Sequence, residues 1–354
     1  MRRILFSVSG HGLGHLNQAA ALMQAVHARH PDIAITVRSS LDRARIEQRL
    51  GFPVAYLDAQ DDFGVRIRNG FDVDLPETGR AYDRMAARWP EVLGRAKADI
   101  AAVRPDLIVA NVGFVPLAAG AELGIPSLGL ASLDWHTVLA GYWAGERAQV
   151  LDLMDAAYAS AEALLAFAPT TAEAAWRRRI SLGPAAEAGR PRGDALRARL
   201  GLPRGQRLVL CAFGNSAPPP PRTDLLACAG TTFLVPARWS AAKSTVAVDG
   251  LDWPFIDLLA SCDACLAKLG YGIAAEAVRN AVPLLYHRRP GWREDDALAG
   301  WTEAHGRARQ IDLAALDADG LRHALDRFAA EPAPAAPAFM DPDAAVSTLL
   351  SAAL

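Results

Sequence analysis

A stretch rich in glycine and histidine, SGHGLGHLNQ, occupies residues 9–18, between the apolar run ILFSV and the alanine-rich AAALMQAVHA. Glycines in such a turn let the backbone approach a ligand closely, and a helix start aims its N–H groups at an anion. A neutral imidazole can accept a proton from a hydroxyl near neutral pH. One of the two histidines, His11 or His15, is therefore a candidate general base. The alternative is that a histidine of this stretch only caps the helix or holds the loop.

Three familiar motifs do not fit this stretch. A phosphate-binding Walker loop needs a lysine that is missing here, and the dinucleotide fingerprint would need a third glycine where His15 stands. The second strand ends in VRSS without an acid for a ribose, although Arg38 would suit the 2′-phosphate of NADP. His11 and His15 have the spacing of a helical zinc pair, but no HExxH glutamate accompanies them. We expect no bound metal.

A second glycine turn, KLGYGIAAE, occupies residues 268–276. Gly270 and Gly272 would leave the N–H groups of a helix start open to a diphosphate, and Lys268 would add positive charge. Glu276, about one helical turn further on, can accept hydrogen bonds from both hydroxyls of a ribose. Two more loops follow predicted strands: AFGNS (212–216), and LLYHRRPGWREDDAL, whose charges could also be merely solvated.

These loops need a scaffold of parallel strands. Short β-type runs alternate with amphipathic stretches in both halves of the chain, which predicts parallel, doubly wound sheets. The carboxyl ends of such strands, where ligands bind, would meet at a cleft between two Rossmann-like domains. The predicted divisions are an N-terminal domain at 1–165, a linker and domain entry at 166–200, a C-terminal domain at 201–335 and a helical tail at 336–354. Segment 60–80 is expected to be a long loop.

The composition is that of a globular protein. The 354 residues are 51% hydrophobic with a net charge of −2, which gives no reason to expect a nucleic-acid partner. No apolar run reaches the length of a membrane span, and the N-terminus does not read as a signal peptide, so we expect a cytoplasmic protein. The CxxC of Cys262 and Cys265 lacks further zinc ligands, so reduced, buried thiols are expected.

Together these residues resemble the GT-B glycosyltransferases. GHGLGH is similar to the glycine-histidine loop of the MurG-type enzymes, and GHLNQ to the GHxNP stretch of the UDP-glycosyltransferases. SGHGLGHLNQ, residues 105–142 and residues 268–298 are more similar still to the glycosyltransferase-like N-terminal region of L-arabinokinases. The resemblance implies a GT-B fold whose C-terminal half binds a nucleotide-sugar donor and whose N-terminal half binds the acceptor.

The resemblance also implies roles for individual residues. His15 would be the base, oriented by Asn111, which stands where the UDP-glycosyltransferases have an aspartate. Either another acid such as Asp134 substitutes for that aspartate, or the acceptor is acidic enough to need little help. The expected donor-binding residues are Gly214, Asn215, Lys268, Gly270, Tyr271, Gly272, Glu276, Glu294 and Asp295. The expected acceptor-binding residues are His11, Asn17, Asp134 and Trp135.

The expected function is transfer of a sugar, with inversion, from a UDP-linked donor to a small-molecule or lipid-linked acceptor. No cofactor is expected, because the nucleotide sugar is a substrate. The amphipathic AAWRRRI (174–180) would suit a lipid-linked acceptor. Two alternatives stay open: a module that binds a nucleotide sugar without turning it over, and an epimerase or hydrolase on the same fold.

Overall fold

The computed structural model describes residues 3–68, 71–214, 225–226, 228–239 and 243–352. Its first half contains seven strands and seven helices. The strands are β1 (Arg3–Val8), β2 (Ala34–Ser39), β3 (Ala55–Asp58), β4 (Leu107–Asn111), β5 (Ser127–Ala131), β6 (Ala163–Phe167) and β7 (Arg179–Gly183). The helices are α1 (Leu13–Arg29), α2 (Arg43–Leu50), α3 (Leu75–Ala87), α4 (Trp89–Val103), α5 (Val115–Leu123), α6 (Trp135–Trp143) and α7 (Ala148–Ala159).

The second half repeats the alternation on a smaller sheet. Its strands are β8 (Arg207–Ala212), β9 (Thr231–Val235), β10 (Thr245–Ala247), β11 (Ala264–Lys268), β12 (Leu284–His287) and β13 (Ala308–Gln310). Its helices are α8 (Gly193–Arg199), α9 (Phe255–Ser261), α10 (Tyr271–Arg279), α11 (Glu294–His305), α12 (Ala318–Ala330) and α13 (Pro342–Ala352).

Both sheets are parallel and doubly wound, as predicted. The strand orders are β3-β2-β1-β4-β5-β6-β7 and β10-β9-β8-β11-β12-β13. Each order reverses beside its first strand, between β1 and β4 in one sheet and between β8 and β11 in the other. In open α/β sheets, ligands bind at the carboxyl ends of the strands at such switch points. The loops after β1 and β11, which carry the two glycine turns, lie at these two places.

Apolar clusters cover both faces of each sheet, which explains the short, continuously apolar strands. In β1, Ile4 and Phe6 belong to one core cluster and Leu5 belongs to another on the opposite face. In β11, Cys265 joins the first cluster while Leu266 packs on the other side of its sheet. The first cluster includes residues of both halves and also Leu349 of α13, so the C-terminal helix packs back against α1.

Two helices begin earlier than the sequence suggests. α1 begins at Leu13, inside the glycine-rich stretch, so His15 lies in its first turn rather than in a loop. α3 begins at Leu75, within the segment expected to be a long loop, because the Asp74 side chain accepts a hydrogen bond from the Glu77 backbone N–H and a proline occupies the first turn.

The segment predicted as a linker contains regular structure. Its β7 pairs with β6 as the last strand of the first sheet, and α8 leads into the second sheet. The stretch AAWRRRI is not a helix, since residues 174–178 are irregular and the rest enters β7. An amphipathic helix for a lipid surface is therefore absent from this part of the described chain.

Two further properties concern membranes and metals. Within the described ranges, no helix combines the length and apolar character needed to cross a membrane. The same residues hold no group of three or more His, Cys, Asp or Glu side chains arranged as metal ligands. Cys262 and Cys265 are free and buried, and burial raises the pKa of the Cys265 thiol well above its usual value.

Candidate functional site

Two helix starts, one from each half, have the same unusual construction. Gly12 caps α1 and Gly270 caps α10, each with an extended backbone and without a side-chain hydrogen bond to the first turn. A Cβ placed on either cap, or on Gly14 and Gly272 within the first turns, would meet nothing within 4 Å. Neither backbone strain nor packing requires these glycines, so they leave open space in front of N–H groups that can bind an anion.

His15 lies half-buried in the first turn of α1. Its ring centroid is 5.6 Å from that of Trp135 and 6.1 Å from that of His11. Burial and the nearby Arg289 guanidinium lower the pKa of His15 to about 4, so the ring is neutral at pH 7. Its buried Nδ1 has no hydrogen-bond partner among the described residues.

His11 is held beside it by aromatic side chains of both halves. Its ring meets Trp135 edge-on at 5.1 Å and stacks on Trp292 at 6.4 Å, centroid to centroid. A hydrogen bond to the backbone of Phe63 favours the protonated ring, but burial and the neighbouring His15 dominate and lower the pKa of His11 to about 3. We call His11, His15, Trp135 and Trp292 the histidine cluster. His11 and Trp135, both predicted acceptor ligands, therefore lie against the predicted base.

Asn111 forms no hydrogen bond with His15 among the described residues. It lies at the end of β4, where its Nδ2 donates to the Leu130 carbonyl at 2.8 Å and to Gln18 Oε1 at 3.4 Å. Its Oδ1 has no partner among the described residues. The Nδ2 of the amide is thus used by the neighbouring strand and by α1, and the orientation of His15 by Asn111 stays a prediction.

Asp134 forms no hydrogen bond or ion pair with His15 among the described residues either. One carboxylate oxygen caps α6 by accepting from the Thr137 N–H at 2.7 Å. The other oxygen accepts from the Ala174 N–H and from Trp176 Nε1 at 3.0 and 3.1 Å. The whole carboxylate is buried and used within the N-terminal half, so its contacts favour neither a role beside His15 nor acceptor binding.

Lys268 ends β11 near the histidine cluster. Burial and the nearby Arg289 guanidinium lower its pKa to about 8, so the ammonium is mostly charged at pH 7. Among the described residues it forms no ion pair within 4 Å. A charged amine beside an open helix start is suited to a diphosphate.

Glu294 and Asp295 are closed off by protein groups. Asp295 is fully buried and accepts a 2.6 Å hydrogen bond from the backbone N–H of Arg289, whose guanidinium also contacts both carboxylates. Glu294 accepts from Trp292 Nε1 at 3.1 Å and, across the two halves, from Ser132 Oγ at 3.2 Å. In this arrangement neither carboxylate faces open space, so binding of sugar hydroxyls would require Arg289 or Ser132 to move.

Glu276 lies in the second turn of α10 and faces a cavity of about 390 Å³ between α10 and α1. Gly14 and Gly272 line the same cavity, which therefore reaches the two helix starts. Burial, reinforced by the Glu187 carboxylate, raises the pKa of Glu276 to about 7. Asn17, a predicted acceptor ligand, lines this cavity instead of joining the histidine cluster, and its Oδ1 accepts from Arg49 Nε at 2.7 Å.

The remaining residues predicted to bind the donor are Tyr271, Gly214 and Asn215. The Tyr271 hydroxyl donates to the Ala168 carbonyl and accepts from the Ala185 N–H, both at 3.0 Å, so it ties α10 to the first half. Gly214 follows β8 with φ of 81°, in the left-handed region that favours glycine, and its carbonyl accepts from Arg238. Asn215 lies outside the described residues.

Asp62 and the central place of Arg289 were missed by sequence reasoning. Asp62 accepts a 2.9 Å hydrogen bond from Trp135 Nε1, and burial raises its pKa to about 7. Its only sequence signal was its place in a polar, glycine-rich segment. Arg289 lies 4.0 Å above the Trp292 ring, and its charge reaches both histidines.

Comparisons with known proteins identify the fold of this chain. No protein-family model matches the chain. The L-arabinokinase of Arabidopsis thaliana is 23% identical over 322 residues, which are 84% of this chain but 29% of that protein. The chain thus spans less than a third of the length of this relative.

Solved structures match over the whole chain. The glycosyltransferase VinC in complex with DTDP is 18% identical with a TM-score of 0.63, covering 99% of this chain and 95% of that one. SnogD from Streptomyces nogalater is 17% identical with a TM-score of 0.58, covering 100% of both chains. Phytolacca americana UGT2, complexed with UDP-2fluoro-glucose and pterostilbene, is 14% identical with a TM-score of 0.60, covering 100% of this chain and 93% of that one. The chain therefore has the GT-B fold of these glycosyltransferases, with two Rossmann-like domains of parallel sheet.

Proposed function

We propose that this protein is a glycosyltransferase that moves a sugar from a nucleoside diphosphate donor to a hydroxyl of a second substrate, with inversion at the anomeric carbon. UDP is the proposed nucleotide. This fits the structural neighbours, one of which is solved with DTDP and another with a UDP sugar. The proposed acceptor is a small molecule, since the stretch considered for lipid contact is not an amphipathic helix.

The observation that carries this proposal is the pair of open helix starts. Gly12 and Gly14 on α1 and Gly270 and Gly272 on α10 expose backbone N–H groups where no described protein atom needs the space. Two positive helix ends, joined by the Lys268 ammonium, suit the two phosphates of a nucleoside diphosphate. Glu276 faces the cavity that connects with them, where its carboxylate can accept hydrogen bonds from ribose hydroxyls.

The proposed reaction has a simple proton and charge balance. His15 Nε2 takes the proton of the acceptor hydroxyl, and the oxygen attacks the anomeric carbon from the side opposite the diphosphate. The bond between that carbon and the diphosphate oxygen breaks, and the electron pair leaves with the diphosphate. The helix starts and Lys268 offset this negative charge. Packing of the two domains around the histidine cluster excludes water.

The low pKa of His15 limits its strength as a base when the donor is absent. Its main causes are burial and the positive charge of Arg289. A bound diphosphate would bring negative charge close to this guanidinium and raise the pKa of the ring toward its ordinary value. The base would thus become stronger only after the donor has bound, which suits an ordered reaction with the donor first.

Calorimetric titration tests the donor site. UDP, GDP, TDP and ADP are titrated into the wild type, Glu276→Ala and Glu162→Ala, the last being an exposed carboxylate on the N-terminal half. We expect one nucleotide to bind the wild type and the control equally and the Glu276 variant at least tenfold more weakly. Absence of binding by all four nucleotides would overturn the proposal.

Product analysis tests the chemistry. The matching nucleotide sugar is incubated with the wild type and with His15→Ala, alone and with a panel of hydroxylated acceptors. A transferase leaves the donor largely intact without an acceptor, whereas a hydrolase or epimerase consumes or converts it. We expect His15→Ala to bind the nucleotide normally and to lose a factor of about 10² to 10⁴ in turnover. Full turnover by this variant would exclude the role as base.

A further inference from the structure

Asp62 joins the segment after β3 to the centre of the cleft. Its Oδ1 accepts the 2.9 Å hydrogen bond from Trp135 Nε1. Its Oδ2 is buried against the turn after β4, where a Cβ on Gly113 would lie 2.9 Å from it. The Ser9 side chain and the Gly64 backbone also form hydrogen bonds with this carboxyl group. Any residue larger than glycine at position 113 would displace the carboxylate, so this position of Asp62 is tightly specified.

The residues next to Asp62 contact the same cluster. The Phe63 backbone bonds the His11 ring. A Cβ on Gly64 would come within 2.6 Å of the Trp135 ring and 2.8 Å of the His11 ring, and its φ of +56° also favours glycine. Residues 62–64 thus hold two members of the histidine cluster, His11 and Trp135, in place. The contacts come from the Asp62 side chain and from the backbone of the next two residues.

Trp135 connects Asp62 with His15, because the indole contacts both side chains. The indole is fully buried, and its edge contacts with His11 and His15 place it between the Asp62 carboxylate and the two imidazoles. The indole N–H would be left unpaired without Asp62, which is costly for a buried donor. Within the described structure, Asp62 forms no ion pair with His15, so its influence runs through the indole.

We propose that Asp62 is a positioning residue for His15 and acts through the Trp135 indole. This inference rests on the proposed function, in which His15 is the base. By fixing the indole, Asp62 keeps the His15 ring in one orientation and its Nδ1 shielded from water. The expected consequence is a His15 whose Nε2 alone faces the reacting hydroxyl.

Nuclear magnetic resonance titration of the histidine rings tests this inference without any substrate. The protein is labelled with ¹³C at the ring, and the His15 signal is assigned by its absence in His15→Gln. In Asp62→Ala the indole loses its acceptor, water reaches the ring, and we expect the His15 pKa to rise by roughly one unit or more. Asp62→Asn still offers an oxygen to Trp135 Nε1 and should leave the His15 pKa near the wild-type value.

Two further variants complete the test. Trp135→Phe keeps an aromatic ring but removes the N–H, so it should raise the His15 pKa as Asp62→Ala does. The double variant should add little to either single change. Asp58→Ala, at the exposed end of β3, is the control and should change nothing.

The outcomes separate this inference from the proposed function. An unchanged His15 pKa in both Asp62→Ala and Trp135→Phe would overturn the positioning role, and so would an equal rise in Asp62→Asn. If Asp62→Ala does not fold, judged by circular dichroism, Trp135→Phe and Asp62→Asn decide between these results. Nucleotide binding by the wild type is measured separately, so failure to bind UDP would overturn the donor site without touching this result.

Discussion

At the residue scale, Glu276 offers a titration that should be visible in nucleotide binding. Burial and Glu187 raise its pKa to about 7, and Arg49 opposes this only partly. Only the ionised carboxylate accepts hydrogen bonds from both ribose hydroxyls, so affinity should rise as the pH increases through 7. We expect the affinity for UDP, measured by calorimetry, to increase several-fold between pH 6 and pH 8.

The phosphates of UDP also titrate in this range, so a matched variant is needed. Glu276→Gln keeps the size of the side chain and leaves the phosphate titration intact, but it cannot ionise. Its UDP affinity should therefore change less with pH than that of the wild type. Equal pH dependence in the two proteins would show that Glu276 does not face the ribose.

Asp62 should make the folded state sensitive to pH. Its pKa is raised from 3.8 to about 7 in the folded protein, mainly by burial. Between about pH 4 and pH 7 the unfolded chain loses this proton while the folded chain keeps it, so stability falls as the pH rises. Over this pH range the wild type should lose a few kcal/mol of unfolding free energy, and Asp62→Asn should not show this loss.

Denaturant unfolding at several pH values measures this difference. The free energy of unfolding of Asp62→Asn, relative to that of the wild type, should increase as the pH rises from 4 to 7. Above pH 7 the difference between the two proteins should stay constant. A constant difference at all pH values would mean that the Asp62 carboxyl titrates in the folded protein as it does in the unfolded chain.

At the element scale, the glycines at the two helix starts separate stability from ligand binding. A Cβ on Gly14 of α1 or Gly272 of α10 meets no atom within 4 Å, and alanine is the better helix former. Gly14→Ala and Gly272→Ala should therefore keep or slightly raise the melting temperature. The added methyl groups occupy the space proposed for phosphates, so UDP affinity should fall at least tenfold in calorimetry.

Glycines elsewhere on exposed helix surfaces provide the control. Gly94 in α4 and Gly300 in α11 also have open space where an alanine methyl group would lie, and both are away from the helix starts. Gly94→Ala and Gly300→Ala should stabilise their helices by up to about 1 kcal/mol and leave UDP binding unchanged. If the variants at Gly14 and Gly272 bind UDP as these controls do, the helix starts are not the phosphate site.

The order of the elements could be predicted from the sequence because strands buried on both faces are short, apolar and bounded by glycine or proline. The start of α1 could not, since Gly12 and Gly14 argue locally against a helix that packing against α10 and α13 supports. The start of α3 was predictable in principle, because aspartate, proline and glutamate at 74, 76 and 77 form a helix-start signal.

At the scale of the whole molecule, the glycine turns and His15 were predictable because each lies next to its strand in the sequence. The partners of His15 were not, because they come from distant segments. Asp62 reaches the cluster through a tertiary contact with Trp135, and Arg289 reaches it from the other half of the chain. A resemblance transfers a role to a position, as it did for Asn111, but only the fold shows which side chains that position contacts.

The two domains are joined across the cleft by a hydrogen-bond chain centred on Ser132. Its Oγ accepts from Gln18 Nε2 at 2.9 Å and donates to the buried Glu294 at 3.2 Å. Ser132→Ala would leave two buried polar atoms, Gln18 Nε2 and Glu294 Oε1, without this partner while the domains are together, at a cost of about 1–3 kcal/mol. Opening lets water reach both groups, so we expect the variant to favour an open form with a larger radius of gyration in X-ray scattering.

Ser160→Ala is the matched control for domain opening. The Ser160 hydroxyl donates to the Leu117 and Ala157 carbonyls, both within the N-terminal half. Its loss should lower the melting temperature without changing the radius of gyration, whereas Ser132→Ala should change the radius. A saturating nucleotide that bridges the two helix starts should restore the compact form of Ser132→Ala, since it binds both domains only when they are together. An unchanged radius in Ser132→Ala would show that the domains are held by their apolar contacts alone.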